Sequence, residues 1–149
     1  MRLKFTAPLV ALAMLCTAAI GPVPVGPKDE IRATFSEFIA AQNAHDLQAV
    51  GRVLGDDADF LWSASGNVVR SRAAALGRFR ELFQGTWRVD PDWTTYQTLR
   101  LDISTVEVFA HAAISSGLSA RATRLNVVLI NTEKGWRVLT FVVDDLPPK

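Results

Sequence analysis

Apolar residues recur at helical spacing in three segments of the first half of the chain. The segments are Ile31 to Ile39, Leu47 to Leu54 and Leu76 to Phe83. Asp29, Asp46 and Ser71 precede them, and each has a side-chain oxygen able to accept hydrogen bonds from a first helical turn. Asn43-Ala44-His45-Asp46 interrupts the first pattern. The spacing predicts three helices, with a break after the first.

Strand-like runs lie between and after these helices. A short hairpin is predicted from residues 58–63 and 68–70, around the turn Ala64-Ser65-Gly66-Asn67. Longer strands are predicted at 94–103, 106–114, 122–130 and 136–143. Thr132-Glu133-Lys134-Gly135 is typical of a hairpin turn between the last two. Helices first and antiparallel strands later predict an α+β fold in which the helices cover a curled sheet.

The N-terminus has a different composition from the rest of the chain. Arg2 and Lys4 precede the apolar run PLVALAMLCTAAI, whose length is typical of a secretory signal and short for a membrane span. Small residues at 17–19 offer a cleavage site, and the Pro- and Gly-rich stretch 20–27 resembles a stiff linker. We therefore expect a signal peptide at 1–19, a linker at 20–27 and one domain at 28–149.

This organisation predicts an exported protein, periplasmic or secreted, with no stable membrane span after cleavage. An uncleaved anchor is one alternative. A lipoprotein built on Cys16 is another, although the bulky Leu15 before it disfavours lipoprotein processing. Cys16 is the chain's single cysteine, so the mature domain would contain no disulfide.

The near-neutral charge of the chain argues against some classes of binding partner. The net charge of +1 gives no reason to expect nucleic acid or a strongly acidic partner. Several arginines fall in and around the third helix, at Arg70, Arg72, Arg78, Arg80 and Arg88. They alternate with core positions, which favours a solvated helix face over a nucleic-acid surface.

Several segments resemble one known superfamily. They are FIAAQNAHDLQAVGRVLGDDADFLW, the following hairpin with RSRAAALGRFRELF, and the C-terminal NVVLINTEKGWRVLTF. They resemble the nuclear transport factor 2-like superfamily, in its SnoaL-like and ketosteroid isomerase-like branch. The resemblance implies a cone-shaped roll of three N-terminal helices on a strongly curved, mostly antiparallel sheet. It also implies a homodimer through the open sheet face. It does not set the activity, since the superfamily holds many enzymes and non-enzymes.

The resemblance can be tested at the positions that carry isomerase chemistry. It aligns Phe38 with a hydrogen-bonding Tyr, Trp62 with the general-base Asp, and Asn126 with a protonated Asp. Phe38 has no hydroxyl and an indole cannot shuttle a proton, whereas an Asn amide can still donate a hydrogen bond. Two of the three roles are lost, which argues against steroid isomerase chemistry.

Strand alternation extends this alignment to a candidate pocket. The expected ligand-binding residues are Phe38, Phe60, Trp62, Arg124, Asn126 and Thr140. An aromatic wall with a few polar groups suits a small hydrophobic molecule, bound without established catalysis. The competing interpretation is that the large aromatic side chains simply fill the cone.

Two further functions remain open. The first is an isomerase-, cyclase- or hydratase-type enzyme, for which His111, Asn126 and Asp144 are the weak catalytic candidates, with Arg124 beside Asp144. Against it, a lone His on a strand is usually structural or exposed, and an Arg124–Asp144 pair could be a rim salt bridge of little consequence. The second is a structural dimerisation or partner-binding module.

No metal or cofactor is expected, because neither histidine has partners at metal-ligand spacing. His45, in the helix break, is expected to be solvated. Asp56, Asp57 and Asp59 are better explained by turn and cap chemistry than by calcium. The resemblance places Asp90-Pro91-Asp92 in a loop at the pocket mouth, where the flanking Trp87 and Trp93 would either gate a ligand or pack the loop.

Overall fold

The computed structural model of the protein describes residues 27–56 and 60–147. The helices are α1 (Pro27–Asn43), α2 (Leu47–Val53) and α3 (Arg72–Leu82). The strands are β1 (Leu61–Ala64), β2 (Asn67–Arg70), β3 (Arg88–Arg100), β4 (Thr105–Ser116), β5 (Ser119–Thr132) and β6 (Gly135–Asp145). The expected signal segment, the linker up to residue 26, and Asp57 and Asp59 lie outside the described residues. Within these two ranges, no helix combines the length and apolar character needed to cross a bilayer.

The strands form one curved, unclosed sheet in the order β2-β1-β6-β5-β4-β3. Neighbouring strands are antiparallel, except that β1 runs parallel to β6. The three helices pack on this sheet, with α1 in contact with both β3 and β6. The prediction of an α+β fold, with three helices on a mostly antiparallel curved sheet, is therefore confirmed.

An aromatic cluster joins the helices to the sheet. Phe38 of α1 meets Phe79 of α3 and Phe141 of β6 edge to face, at ring-centroid distances of 6.2 and 5.1 Å. These three side chains and Phe60 are fully buried. Burying a side chain of this size contributes about 1.5–3 kcal/mol. The predicted candidates Phe38 and Phe60 therefore lie in the core of the domain.

Two of the three predicted helix caps are present. The Asp46 carboxylate accepts a hydrogen bond from the Ala49 backbone N–H at 2.9 Å, and the Ser71 hydroxyl accepts one from Ala74 at 3.3 Å. Asp29 lies inside the first turn of α1 instead of capping it, because the helix already includes Pro27. Proline suits a first turn, where its missing N–H would have no intrahelical partner.

Strand β3 begins earlier than predicted. Asp90-Pro91-Asp92, expected as a loop, lies within this strand and pairs with residues 111–113 of β4. The loop prediction is wrong because β3 is an edge strand, where the missing N–H of Pro91 does not break a ladder on both sides.

The break between α1 and α2 holds the start of β3. The Asn43 side-chain amide donates to the Val89 carbonyl, and the Val89 N–H donates to the Asn43 side-chain oxygen, each at 2.8 Å. The buried Gln42 accepts from the Trp87 indole N–H at 3.2 Å. Polar residues that interrupt the helical pattern thus pair with the edge strand.

His45 belongs to the same junction. Its Nε2 lies 2.8 Å from the Trp87 carbonyl oxygen, and its ring stacks on Phe83 with centroids 4.9 Å apart. Its φ of 54° lets the chain turn sharply between the two helices. The prediction of a solvated His45 is wrong, because the ring packs in a half-buried site.

Candidate functional site

A cavity of about 350 Å³ opens at one end of the fold, between hairpin β1–β2, helix α3, the residue before β3 and the adjoining ends of β4 and β5. We call it the mouth cavity. Its lining residues are Trp62, Ala64, Ser65, Asn67, Val69, Arg78, Leu82, Trp87, Ile114, Ser116, Ser119 and Arg121. Its volume lies within the range of small-molecule sites, about 300–1,000 Å³.

Three lining residues are buried: Trp62, Trp87 and Ile114, at 4%, 5% and 1% exposure. The Trp62 ring stacks on Phe79 with centroids 4.5 Å apart and lies 6.4 Å from Trp87. The Trp87 indole N–H is bonded to Gln42, whereas the buried Trp62 Nε1 has no hydrogen-bond partner. A buried donor without a partner is unfavourable.

Arg121 connects two elements at the rim. Its guanidinium donates to the Ser65 hydroxyl in the β1–β2 turn and forms an ion pair with Asp145 at 3.1 Å. Ser65 and Gly66 both have positive φ, at 49° and 78°, as a tight two-residue hairpin turn requires. The hydrogen bond from β5 therefore holds this turn against the rim.

Among the described lining residues, the ionisable side chains are those of two arginines. Arg78 of α3 pairs with Glu81 at 2.8 Å, and Arg121 pairs with Asp145. No carboxylate, imidazole or phenol lines the mouth cavity within the described ranges. The described lining can therefore hold a molecule by apolar contact, hydroxyl and amide hydrogen bonds, and positive charge.

The six predicted ligand-binding residues do not share one hollow. Trp62 is paired with Phe141 of β6, whereas Asn126 of β5 is paired with Val142, the next residue along β6. Adjacent positions of a strand face opposite sides of a sheet, so Trp62 and Asn126 lie on opposite sides. The prediction of a common pocket is wrong for this reason. Among the six, only Trp62 lines the mouth cavity.

Arg124, Asn126, Thr140 and Asp144 lie on the side of the sheet away from the helices. We call this side the outer sheet face. Arg124 and Asp144 form an ion pair at 3.8 Å, with side chains 52% and 47% exposed. A pair this exposed is the surface salt bridge that the sequence left open as an alternative. The Thr140 hydroxyl accepts from the Val128 N–H at 3.3 Å.

His111 is also exposed on the outer sheet face, where it pairs in register with Asp92. Hydrogen bonds from the Thr94 hydroxyl and backbone N–H hold the pKa of Asp92 below its usual range, and His111 adds a smaller effect in the same direction. His111 and Asp144 therefore lie across the sheet from the mouth cavity. Within residues 27–56 and 60–147, no group of three His, Cys, Asp or Glu side chains is placed to hold a metal ion.

The two tryptophans that flank the Asp90-Pro91-Asp92 segment have separate roles. Trp87 lines the mouth cavity. Trp93 packs edge to face on Phe35 at 5.7 Å, with the Arg32 guanidinium 5.0 Å from its ring centroid. The residues that sequence reasoning missed are the arginines Arg78 and Arg121, because arginines in a helix and at a strand end are typical of solvated surface.

Comparisons with known proteins agree with this architecture. The family model of the SnoaL-like domain matches residues 31–142. No curated protein is a significant match. The fold is similar to that of a candidate dehydratase of the nuclear transport factor 2-like family from Streptomyces avermitilis, with a TM-score of 0.71 and 15% identity over 80% of this chain and 96% of that one.

Two further solved structures share the fold. One is a candidate aromatic ring hydroxylase from Novosphingobium aromaticivorans, with a TM-score of 0.67 and 21% identity over 80% of this chain and 88% of that one. The other is a candidate calcium/calmodulin-dependent protein kinase II association domain from Xanthomonas campestris, with a TM-score of 0.67 and 15% identity over 82% and 91%. Proteins described so differently share the fold alone. The family match, which covers most of the chain, shows that the protein belongs to the SnoaL-like family of the nuclear transport factor 2-like superfamily.

Proposed function

We propose that this domain binds a small, largely apolar molecule in the mouth cavity. One observation carries the proposal: a cavity of about 350 Å³ ends on buried tryptophans, one of which keeps an unpaired indole N–H. Apolar walls with a few convergent polar groups are typical of small-molecule sites. Leu82, Val69 and Ile114 supply further apolar surface to these walls.

The four tryptophans provide a direct test. Trp62 and Trp87 line the mouth cavity, whereas Trp93 and Trp136 do not. Titrating the ¹⁵N-labelled full chain with 2-naphthylmethanol, a neutral aromatic probe, should shift the indole N–H resonances of Trp62 and Trp87. The resonances of Trp93 and Trp136 should stay in place. Shifts confined to Trp93 or Trp136, or no saturable shift at all, would contradict the proposal.

A pair of alanine substitutions gives a matched control. Ala64 lines the mouth cavity at the end of β1, whereas Ala113 is exposed on the outer sheet face of β4. Ala64→Phe should fill part of the cavity and weaken binding of the probe by about tenfold or more, because overpacked space must be cleared before a ligand enters. Ala113→Phe should leave binding unchanged.

The enzyme alternative has less support from the geometry. An isomerase-, cyclase- or hydratase-type mechanism built on His111, Asn126 and Asp144 needs these groups beside the bound molecule. They lie on the outer sheet face, across the sheet from the mouth cavity. We therefore favour binding over catalysis for this site.

We also propose that the domain forms a homodimer through the outer sheet face. Apolar side chains, among them Phe109, Val128 and Val142, lie half-buried there, and the Asn126 side-chain oxygen is buried without a partner. A second copy covering this surface would bury the apolar groups and place polar atoms near Asn126. Light scattering of the purified protein should give twice the monomer mass, and a monomer at all concentrations would exclude the dimer.

Finally, we propose export to the periplasm or the medium. The proposal rests on the sequence, in which Arg2 and Lys4 precede an apolar run and small residues follow. Mass spectrometry of the protein recovered from cells that express the full chain should show loss of the first residues, up to a cleavage near Ala19. An intact N-terminus in the recovered protein would contradict export by cleavage.

A further inference from the structure

The charge of the mouth cavity points to a class of ligand. The ionisable side chains among its described lining residues are Arg78 and Arg121, and their carboxylate partners, Glu81 and Asp145, are not part of the lining. Although each pair is neutral as a whole, the guanidinium groups are the charged groups in the lining, and they favour a ligand group of the opposite sign. We propose that the ligand is a small aromatic or aliphatic acid, whose carboxylate is held by these arginines and by Trp62. This inference rests on the proposed binding function.

The existing ion pairs are exposed, so the arginines can exchange their carboxylate partners for such an acid. The Arg78 and Glu81 side chains are 50% and 67% exposed, and those of Arg121 and Asp145 are 40% and 52% exposed. Pairs this exposed contribute little to stability, so rearranging them costs little. A guanidinium also has five N–H donors, and its paired donors match the two oxygens of a carboxylate.

Trp62 supplies an independent observation. Its side chain is only 4% exposed, and its indole N–H has no hydrogen-bond partner although the ring lines the mouth cavity. An indole N–H can only donate, so the group it lacks is an acceptor. A carboxylate oxygen is a strong acceptor, and a hydrogen bond to a charged group is stronger than one to a neutral group.

The volume of the mouth cavity limits the size of the apolar part of the ligand. A cavity of about 350 Å³ equals roughly a dozen water molecules at about 30 Å³ each. A bicyclic aromatic acid is of this order. Trp62, Trp87 and Leu82 offer it rings and an aliphatic side chain for contact.

Isothermal titration of the full chain with three probes that share one ring system tests the inference. The probes are 2-naphthoate, 2-naphthylmethanol and 2-naphthylmethylamine, which are anionic, neutral and cationic at neutral pH. The acid should bind about tenfold or more tightly than the alcohol, and the amine should bind most weakly. Raising the salt concentration from about 0.05 to about 0.5 M should reduce the advantage of the acid, because the arginines are partly exposed and salt screens them.

Arginine variants test whether Arg78 and Arg121 are the source of the preference for the acid. Replacing Arg78 and Arg121 together by Met keeps much of each aliphatic stem, and should weaken binding of the acid by a larger factor than binding of the alcohol, so that the preference for the acid is lost. Arg88→Met is the matched control. Arg88 forms an ion pair of similar length and exposure with Asp90, at 2.7 Å and 60% and 49%, and is not among the lining residues. This control should keep the preference for the acid.

The results of these titrations test the acid inference and the proposed binding function separately. If the alcohol binds as tightly as the acid, the inference is wrong and the mouth cavity remains a site for apolar molecules. If none of the probes binds at millimolar concentration, both proposals are wrong. If the double variant does not fold, each single variant should lose part of the preference for the acid, and an unchanged preference in both would overturn the inference.

Discussion

Trp62 shows at the scale of one residue how the fold and the site share a side chain. Its ring stacks on Phe79 and contacts Phe141, at centroid distances of 4.5 and 5.6 Å, so it belongs to the core. Its indole N–H is buried and makes no hydrogen bond within that packing. The aromatic ring therefore serves stability, whereas the N–H has the proposed role of donor to a ligand.

Separate substitutions of Trp62 should distinguish these roles. Trp62→Phe keeps an aromatic ring but leaves a small void, and it removes the unfavourable unpaired donor, so the free energy of unfolding should fall by only about 1–2 kcal/mol. Trp62→Ala removes the ring and should cost about 3–5 kcal/mol. Urea denaturation measures both. The Phe variant should also bind 2-naphthoate about fivefold or more weakly than the native chain, because the acid loses a hydrogen bond.

Two outcomes for the Trp62 variants would contradict the roles given to the ring and to the indole N–H. If Trp62→Phe destabilises the protein as much as Trp62→Ala, the part of the indole that both variants lack contributes to the stability of the ligand-free protein, and the division of roles is wrong. Unchanged affinity for 2-naphthoate in the Phe variant would show that this donor does not contact the ligand.

At the scale of elements, the break between α1 and α2 positions β3. Asn43 makes two backbone hydrogen bonds to Val89, each 2.8 Å long. The neighbouring residue Trp87 lines the mouth cavity. The side chain of Asn43 thus completes the hydrogen bonding of an edge strand and fixes one wall of the site.

Asn43→Ala should lower the free energy of unfolding by about 1–3 kcal/mol, because it leaves the Val89 N–H and carbonyl without these partners. Asn43→Asp keeps the acceptor for the Val89 N–H but sets a carboxylate oxygen against the Val89 carbonyl, so it should also destabilise the protein. Asn131→Ala, at an exposed site near the β5–β6 turn, is the control and should change stability by less than about 0.5 kcal/mol. Urea midpoints compare the three, and equal midpoints for the two alanine variants would contradict the role given to Asn43.

The order of the elements could be predicted because its signals are local. Asp46 and Ser71 cap their helices within three residues, and Gly135, at a φ of 89°, follows a two-residue turn. The face of β5 could not be predicted. Residues 125–130 read Leu-Asn-Val-Val-Leu-Ile, with apolar side chains at both alternating sets of positions. The pattern therefore does not say which set meets the helices, and the prediction places Asn126 on the wrong side.

The mouth cavity was unpredictable for a related reason. Its walls come from α3, from hairpin β1–β2 and from the β4–β5 end of the sheet, which are distant in the sequence. The predicted Trp62 is there, but Arg78 and Arg121 are brought beside it only by the tertiary fold. A single arginine on a helix or a strand has no local pattern that separates a site residue from a surface residue.

At the scale of the whole molecule, the two sides of the sheet differ. The helix-facing side holds the core and the mouth cavity, whereas the outer sheet face mixes half-buried apolar side chains with the Arg124–Asp144 ion pair. Val128 lies near the middle of that face, between Glu107 on β4 and Thr140 on β6. If a second copy binds here, Val128 becomes buried between the two sheets.

Val128→Lys should therefore convert the proposed dimer into a monomer, because burying an unpaired ammonium at an interface is strongly unfavourable. The matched control is Val68→Lys, on the edge strand β2, where Val68 is already 55% exposed. Light scattering should give the monomer mass for the first variant and the dimer mass for the second. The melting temperature of the native chain should rise with protein concentration, and that dependence should vanish in Val128→Lys. A folded Val128→Lys variant that keeps the dimer mass would show that the outer sheet face is not the interface.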